Sequence, residues 1–511
     1  MSKVFREALA AVNPTHVPER WVYAAYDQCT FAVGPLADAD PARTGVLLVE
    51  CPGKPARRPY HKQKLALILA NLRHFALELA QAGYHVRWRV ADSYRDAVAA
   101  LIDEVGSVTM MEAAERELRE ELKPLADAGG LRIVANATWC TTDADFDALG
   151  APPWRMDAFY RGVRRRTGVL MEGGKPVGGR FSHDGDNREP WRGQPVAPAI
   201  PTFTPDAVTR EVAALVDSAF PDHPGAVDLR HLPACQEDAE ALWRWAKASC
   251  LPSFGPYEDA LSRTESNLFH TRVSAVMHLG RILPRRAVDE VCALDVPINS
   301  REGFVRQVLG WREYVRHVHR RSPDMAGSPN VLGQRTPLPP VFWGGAPSGL
   351  ACLDGVVEDV WREGFSHHIT RLMVLSNTAQ LLDVDPRELT DWFWVAYIDA
   401  YDWVVEPNVL GMATFAVGDR MTTKPYVAGS GYVHRMGDYC ASCRFHPKKS
   451  CPLTPMYWAY LARHRESLSG VDRAVRQLLG LDRRSESQQA ADRRTYERVR
   501  ETLGRGEALE P

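Results

Sequence analysis

Short runs of β-branched and aromatic residues recur through the first 140 residues: VYAAY (22–26), VLLVE (46–50), YHVRWRV (84–90), SVTMM (107–111) and LRIVAN (131–136). Each has the length and composition of a buried strand. Between the second and third, Leu65, Ile68, Leu72, Phe75 and Leu79 follow at helical spacing, and Gly83 closes the run. A second helical pattern extends from Met110 to Ala128 and stops at Gly129-Gly130. Strands alternating with helices predict an α/β unit over residues 1–140, a parallel sheet covered on its faces. No G-x-G-x-x-G follows the first strand, so the ordinary dinucleotide fingerprint is absent.

The pattern then changes. Residues 172–205 are dense in Gly and Pro and read as a long connection, within an inter-domain region assigned to 141–236. Beyond it strand signals fade, and helical spacing appears at 205–218, 237–248, 257–263, 271–283, 301–320, 367–382 and 386–394. A mostly helical domain is expected over 237–470. Residues 471–511 form a charged helical tail of mixed sign, most simply a solvated face.

Composition narrows the class. The 511 residues are 45 % apolar and 25 % charged, as in soluble globular proteins. No window approaches the roughly 18 apolar residues of a membrane span, and the N-terminus lacks the apolar core of a signal peptide. Lys and Arg number 62 against 64 acids, which excludes a uniformly basic coat but not a local basic groove. Ten cysteines in so long a chain are too sparse for a disulfide scaffold and point to a reducing cytoplasm. Half of the 14 tryptophans lie beyond residue 310.

Three constellations carry candidate chemistry. Cys440 and Cys443 form a C-x-x-C, with Cys451 after it and Cys352 upstream. Four thiolates suit zinc or an iron–sulfur cluster, against the plainer reading of unrelated buried thiols. Ser366-His367-His368 precedes Arg371, and an aromatic run follows around Trp392, Asp399 and Asp402. Adjacent helical histidines point about 100° apart, so one can face a cavity while the other packs. Around His270-Thr271-Arg272-Val273-Ser274, hydroxyls and an Arg suit a phosphate or serve only as helix caps. The basic run 161–166 reads as a solvated face and the run 316–321 as a DNA contact. His183-Asp184-Gly-Asp186-Asn187 reads as a polar turn or a Mg²⁺ site.

Together these residues resemble the iron–sulfur bacterial branch of the photolyase/cryptochrome superfamily. HKQK (61–64), RTGVLMEGGKPVGG (166–179), EGFVRQVLGWREYVR (302–316), HHITRLMVLSN (367–377), YIDAYDWVVEPNVLGM (397–412) and TKPYVAGSGYV (423–433) carry the likeness in order. It implies a Rossmann-like antenna domain and an all-α domain holding FAD. Tyr257, Thr271, Arg272, Val273, Ser274, Gln307, Arg312, Arg371, Asp399, Asp402 and Asn408 would contact the cofactor, with Arg371 and Asp399 as a salt bridge. Cys352, Cys440, Cys443 and Cys451 would ligate a [4Fe–4S] cluster. His367, His368 and Tyr426 would meet a flipped-out (6-4) photoproduct, His368 supplying the proton. Trp343 and Trp392 would relay electrons, and Phe393 stands where some relatives carry Tyr.

Two features depart from the branch. Cys443 and Cys451 enclose a shortened loop. Asp27, Gln28, Glu50 and Cys51 resemble positions contacting a 6,7-dimethyl-8-ribityllumazine antenna, but Gly53-Lys-Pro-Ala-Arg-Arg58 replaces an acidic pair. A lumazine, another antenna and an empty site all stay open. The resemblance implies a monomer acting on UV-damaged DNA, single- or double-stranded, as a light-driven lyase. A blue-light signalling receptor with the same cofactors is the alternative, and a zinc-stabilised nucleic-acid-binding protein is the reading without flavin.

Overall fold

In the computed structural model, which describes residues 3–511, the early apolar runs become five parallel strands: β1 (Arg20–Tyr23), β2 (Thr44–Glu50), β3 (His85–Val90), β4 (Val108–Met111) and β5 (Leu131–Val134). Their order is β3-β2-β1-β4-β5. Thr44 to Val49 of β2 are all buried, as a strand covered on both faces must be. The covering helices are α1 (Lys3–Val12), α2 (Lys62–Gln81), α3 (Tyr94–Val105) and α4 (Arg116–Asp127). Leu72, Phe75 and Leu79 of the α2 stripe sit in the core. α4 begins at Arg116 rather than Met110, because Met110 and Met111 pair with Ile133 and Val134 in the sheet. The chain leaves the sheet through a small hairpin at 171–176 and an irregular path to residue 206.

Beyond residue 236 helices dominate, with two corrections to the expected pattern. Residues 257–263 are irregular, and 271–283 contain only the short helix Ser274–His278. Arg272 (φ 55°) and Gly280 (φ 82°) take left-handed conformations that no helix tolerates. Four helices widen into π-turns, at Ala246–Cys250, Arg306–Arg312, Thr370–Ser376 and Glu406–Ala413. Such bulges often mark functional sites. The tail is not a solvated face. Leu478, Leu481, Tyr496, Val499 and Leu503 are buried, and the Arg463 guanidinium lies 3.4 Å from the Tyr496 ring centroid.

The first basic run keeps a solvated face at Arg161, Arg165 and Arg166, which are exposed, whereas the second lies in the seam between the domains. Arg164 is fully buried and donates to the carbonyls of Val169, Leu170 and Phe181 at 3.1, 2.7 and 2.7 Å, pinning the connection. The run 316–321 does not face DNA. Arg316, His317 and His319 are buried, Arg320 pairs with Glu112, and Arg321 pairs with Asp147. Glu313 accepts from the Thr141 amide and hydroxyl at 3.0 and 2.7 Å, and Arg116 of α4 pairs with Glu406. The HKQK segment is part of the same seam. His61 N–H donates to the Val395 carbonyl at 2.8 Å, and Lys64 Nζ to that of Trp394 at 3.0 Å. No helix among the described residues is long and apolar enough to cross a membrane.

Candidate active site

The last three of the four π-turns border one cavity of about 1120 Å³ in the helical domain. Widening a helix by one residue per turn pushes side chains outward, and here Gln307, Arg312, Arg371, Ser376, Asn408 and Met412 reach the wall. Arg371 spans the 28 residues to Asp399 as a bidentate pair, at 3.0 and 3.1 Å. Ser274 Oγ donates to the same carboxylate at 2.7 Å. Burial raises the Asp399 pKa, but the Arg371 charge and these hydrogen bonds outweigh it and leave the carboxyl below its usual value. Asp399 therefore stays ionised in the wall of the cavity.

Thr271, Arg272, Val273 and Ser274 also line the cavity. Arg272 pairs with Glu363 at 2.6 Å and lies 4.3 Å from the Phe365 ring centroid. Its left-handed backbone at the cavity edge is a strained conformation of the kind that clusters at ligand sites. Arg312 stacks 4.1 Å from Trp139 and pairs with Glu313. Gln307 donates to Glu258, and Asn408 donates to the Val404 carbonyl. Two expected cofactor residues lie elsewhere. Tyr257 is outside the lining; it packs on Phe269 at 5.3 Å and donates to the Gln194 carbonyl. Asp402 turns to the seam, where it accepts from the Arg116 amide at 2.6 Å, and burial raises its pKa.

His367, His368 and Tyr426 all line the cavity. His367 is 3 % exposed and stacks on His270 at 4.3 Å. Burial holds the His367 and His270 pKa values well below the usual histidine value, so both rings are neutral near pH 7. The His368 side chain is 41 % exposed, with Nε2 3.7 Å from Asp259. His270 was legible only as a neighbour of Arg272; nothing in its spacing joins it to a histidine pair nearly 100 residues later. Trp361 is a second residue that spacing concealed. Phe393 in the cavity wall touches Trp392 at 5.0 Å, Trp392 meets Trp361 at 6.1 Å, and Trp361 meets Trp343 at 5.9 Å. Trp343 is 46 % exposed. Thus Trp343 and Trp392 are joined through Trp361.

The four cysteines occupy one neighbourhood. Cys352 is buried, and burial followed by the charges of Cys451, Cys440 and Cys443 pushes its thiol up. All four are free of disulfides. The short loop closes as a tight turn, with the Cys451 amide donating to the His446 carbonyl at 3.0 Å. The expected antenna residues lie at or just beyond the ends of the adjacent strands β1 and β2, each with a local partner. The side-chain amide of Gln28 donates to the Met111 and Glu112 carbonyls, and Asp27 accepts from the Ala114 amide. Glu50 pairs with Arg73, and the Cys51 thiol donates to the Asp92 carbonyl. Lys54, from the segment that departs from the branch, reaches Tyr26 and Glu115 across the β1/β4 edge. That edge is the switch point where α/β sheets bind ligands. Nor do Asp184 and Asp186 converge on a cation: Asp184 pairs with Arg188 and Arg306, and Asp186 with Arg180.

A doubly wound sheet followed by a helical domain around one large cavity is the architecture of photolyases and cryptochromes. The chain superposes on a class III photolyase from Agrobacterium tumefaciens with a TM-score of 0.59 at 14 % identity, covering 96 % of this chain and 99 % of that one. A Synechocystis cryptochrome matches with a TM-score of 0.58, at 14 % identity and the same coverage. The family model described as deoxyribodipyrimidine photo-lyase-related protein matches residues 22–232. A protein of Agrobacterium fabrum named (6-4) photolyase is 35 % identical over 467 residues, covering 86 % of this chain and 91 % of that protein. The chain belongs to this photolyase-related family.

Proposed function

We propose that the protein repairs (6-4) pyrimidine photoproducts in DNA under light, with FAD held in the cavity. The carrying observation is that the half-exposed His368 and the partly buried Arg371–Asp399 pair line one cavity, in a chain so similar to a protein named (6-4) photolyase. The cavity's size, its ion-paired wall and the adjacent Arg272 and Ser274 fit FAD. When bound and reduced, FAD supplies a light-excitable electron donor.

The chain's own residues do the rest. Arg371 and Asp399 present a fixed dipole in the wall, and Arg272, Gln307, Arg312 and Asn408 hold the cofactor. His368 sits beside Asp259 and donates a proton to the lesion. His367, neutral and stacked on His270, positions it. Tyr426 packs against the flipped-out base, a step cheapest for a base already damaged. Arg188, Lys424, Arg435 and Arg473 all border the cavity and take the phosphates of damaged DNA, single- or double-stranded. Trp392, Trp361 and Trp343 form a stepped aromatic path from the cavity wall to solvent, suited to electron entry.

Cys352, Cys440, Cys443 and Cys451 hold a [4Fe–4S] cluster in this reading. Supporting it over zinc, no three of the four sulfurs lie mutually within 4.8 Å, whereas four thiolates on one zinc at about 2.3 Å would be about 3.8 Å apart. The test uses the reduced, flavin-loaded protein and a single-stranded oligonucleotide carrying one (6-4) lesion. Lesion loss in blue light and none in darkness is expected. No loss in light from flavin-loaded protein would contradict repair and favour the receptor.

A further inference from the structure

The histidine pair and the Arg371–Asp399 pair are set on two short loops that are laced together. One loop, residues 364–366, follows the helix Ala351–Glu363 and runs straight into His367 and His368. The other, residues 397–399, follows the helix Pro386–Ala396 and ends in Asp399. The Ile398 amide donates to the Gly364 carbonyl at 2.9 Å. Gly364 is left-handed (φ 62°), and a Cβ there would stand 2.7 Å from Ile398 Cγ2, so this close approach requires glycine. Arg371 Nε donates to the Ser366 carbonyl at 2.8 Å while its two terminal nitrogens hold Asp399. The Ser366 and Tyr397 hydroxyls meet at 2.8 Å.

These ties differ in kind. Two use a main-chain group, whereas the third joins two side-chain hydroxyls, at residues 2 % and 0 % exposed. Both residues border the cavity, yet their hydroxyls turn to each other. The Tyr397 ring stacks on Phe393 at 5.4 Å and lies 4.1 Å from the Arg371 guanidinium. Phenylalanine would keep both ring contacts, so the hydroxyl is not there to fill space. Burying it is costly unless it is hydrogen-bonded, and its partner is the residue that precedes the histidine pair. The bond therefore fixes how the chain enters His367 and His368, across the same gap that Arg371 and Asp399 span.

We propose that Ser366 and Tyr397 are positioning residues for His368, their hydroxyl contact setting the direction of the proton donor relative to the Arg371–Asp399 wall. The effect on turnover rests on the repair reading above; the effect on the histidine rests on the geometry alone. Neither hydroxyl gives or takes a proton in the reaction. Reacting groups misplaced by about 1 Å lose up to about a hundredfold in rate.

Tyr397→Phe removes the hydroxyl and keeps the ring. In flavin-loaded protein, lesion loss in blue light at saturating DNA is expected to fall at least about tenfold, with flavin content and affinity for the lesion unchanged. Adding Ser366→Ala removes the hydroxyl left without its partner and restores stability. A bond that only stabilises the fold would let repair recover in this double variant; repair that stays low is expected. The second readout needs neither light nor DNA, so inactivity of the unaltered protein would leave it standing. With isotope-labelled histidine rings, the His368 resonance is identified by its absence from His368→Gln. One sharp line is expected in the unaltered protein, and a broadened or divided line in Tyr397→Phe and in the double variant. Repair at the unaltered rate in Tyr397→Phe, recovery of repair in the double variant, or an unchanged His368 line in both would overturn the proposal.

Discussion

The cavity and the seam between the domains are built from the same residue types, yet they use them differently. In the seam, charge finds charge or backbone: Arg116 meets Glu406, Arg320 meets Glu112, and Glu313 gathers the amides and hydroxyl at Cys140 and Thr141. In the cavity, His270 and His367 keep unpartnered nitrogens, and the cations at its mouth come from separate elements to one place. Satisfied polar groups specify how two domains dock. Buried nitrogens without a hydrogen-bond partner remain in both regions, at His270 and His367 in the cavity and at Arg316, His317 and His319 in the seam.

Acid should break both regions at once, and this is the largest effect expected. Burial, the leading cause at each, lowers His61 to about 4, His278 to about 3, and His317 and His319 to about 2, and holds His270 and His367 well below normal. The unfolded chain takes up these protons near pH 6.5 and the folded one does not. Stability is therefore full above that pH and is lost as pH falls toward the folded values, by about 1.4 kcal/mol per pH unit for each histidine. Melting temperatures between pH 7 and 5 should fall steeply, and His317→Gln should flatten the fall. A flat profile would mean that these rings are hydrated in the folded protein.

Seam and cavity should then separate. Arg116→Ala leaves Glu406 buried without its partner and should cost about 2–4 kcal/mol in denaturant unfolding, with repair per folded molecule unchanged. Trp361→Phe should do the reverse. It should leave stability nearly intact and slow light-driven flavin reduction, while protein reduced chemically beforehand repairs normally. Normal photoreduction in that variant would remove Trp361 from the path. The smallest effect belongs to the cavity mouth: Arg473→Ala should lower the salt dependence of DNA binding by about one unit of slope, and Arg321→Ala, in the other basic cluster, should not.

How much of this was legible follows from what kind of signal each part leaves. The strands were readable because burial on both faces demands near-continuous apolar runs, as in Val46–Val49. Arg371 and Asp399 were readable as a pair only through family likeness, since 28 residues of helix and turn separate them. The run 316–321 misled because adjacent basic residues on a helix were read as a face. Docking against the first domain buries Arg316, His317 and His319 instead. The tail misled for the opposite reason: its charges outnumber the buried Leu478, Leu481, Val499 and Leu503, which still anchor it. Tyr257 and Asp402 lie beside true cavity segments but point away, a choice of direction that spacing does not encode. His270 and Trp361 join their partners only through tertiary folding.

The division between a cavity that reacts and a seam that holds is tested most directly by His368→Ala. Flavin content and loss of a single (6-4) lesion in blue light would be measured together on the variant and the unaltered protein. Flavin retained at the normal ratio with repair reduced at least about a hundredfold is the expected result, the contribution of a positioned proton donor. Repair at the unaltered rate would contradict it and leave the histidines without a part in the chemistry.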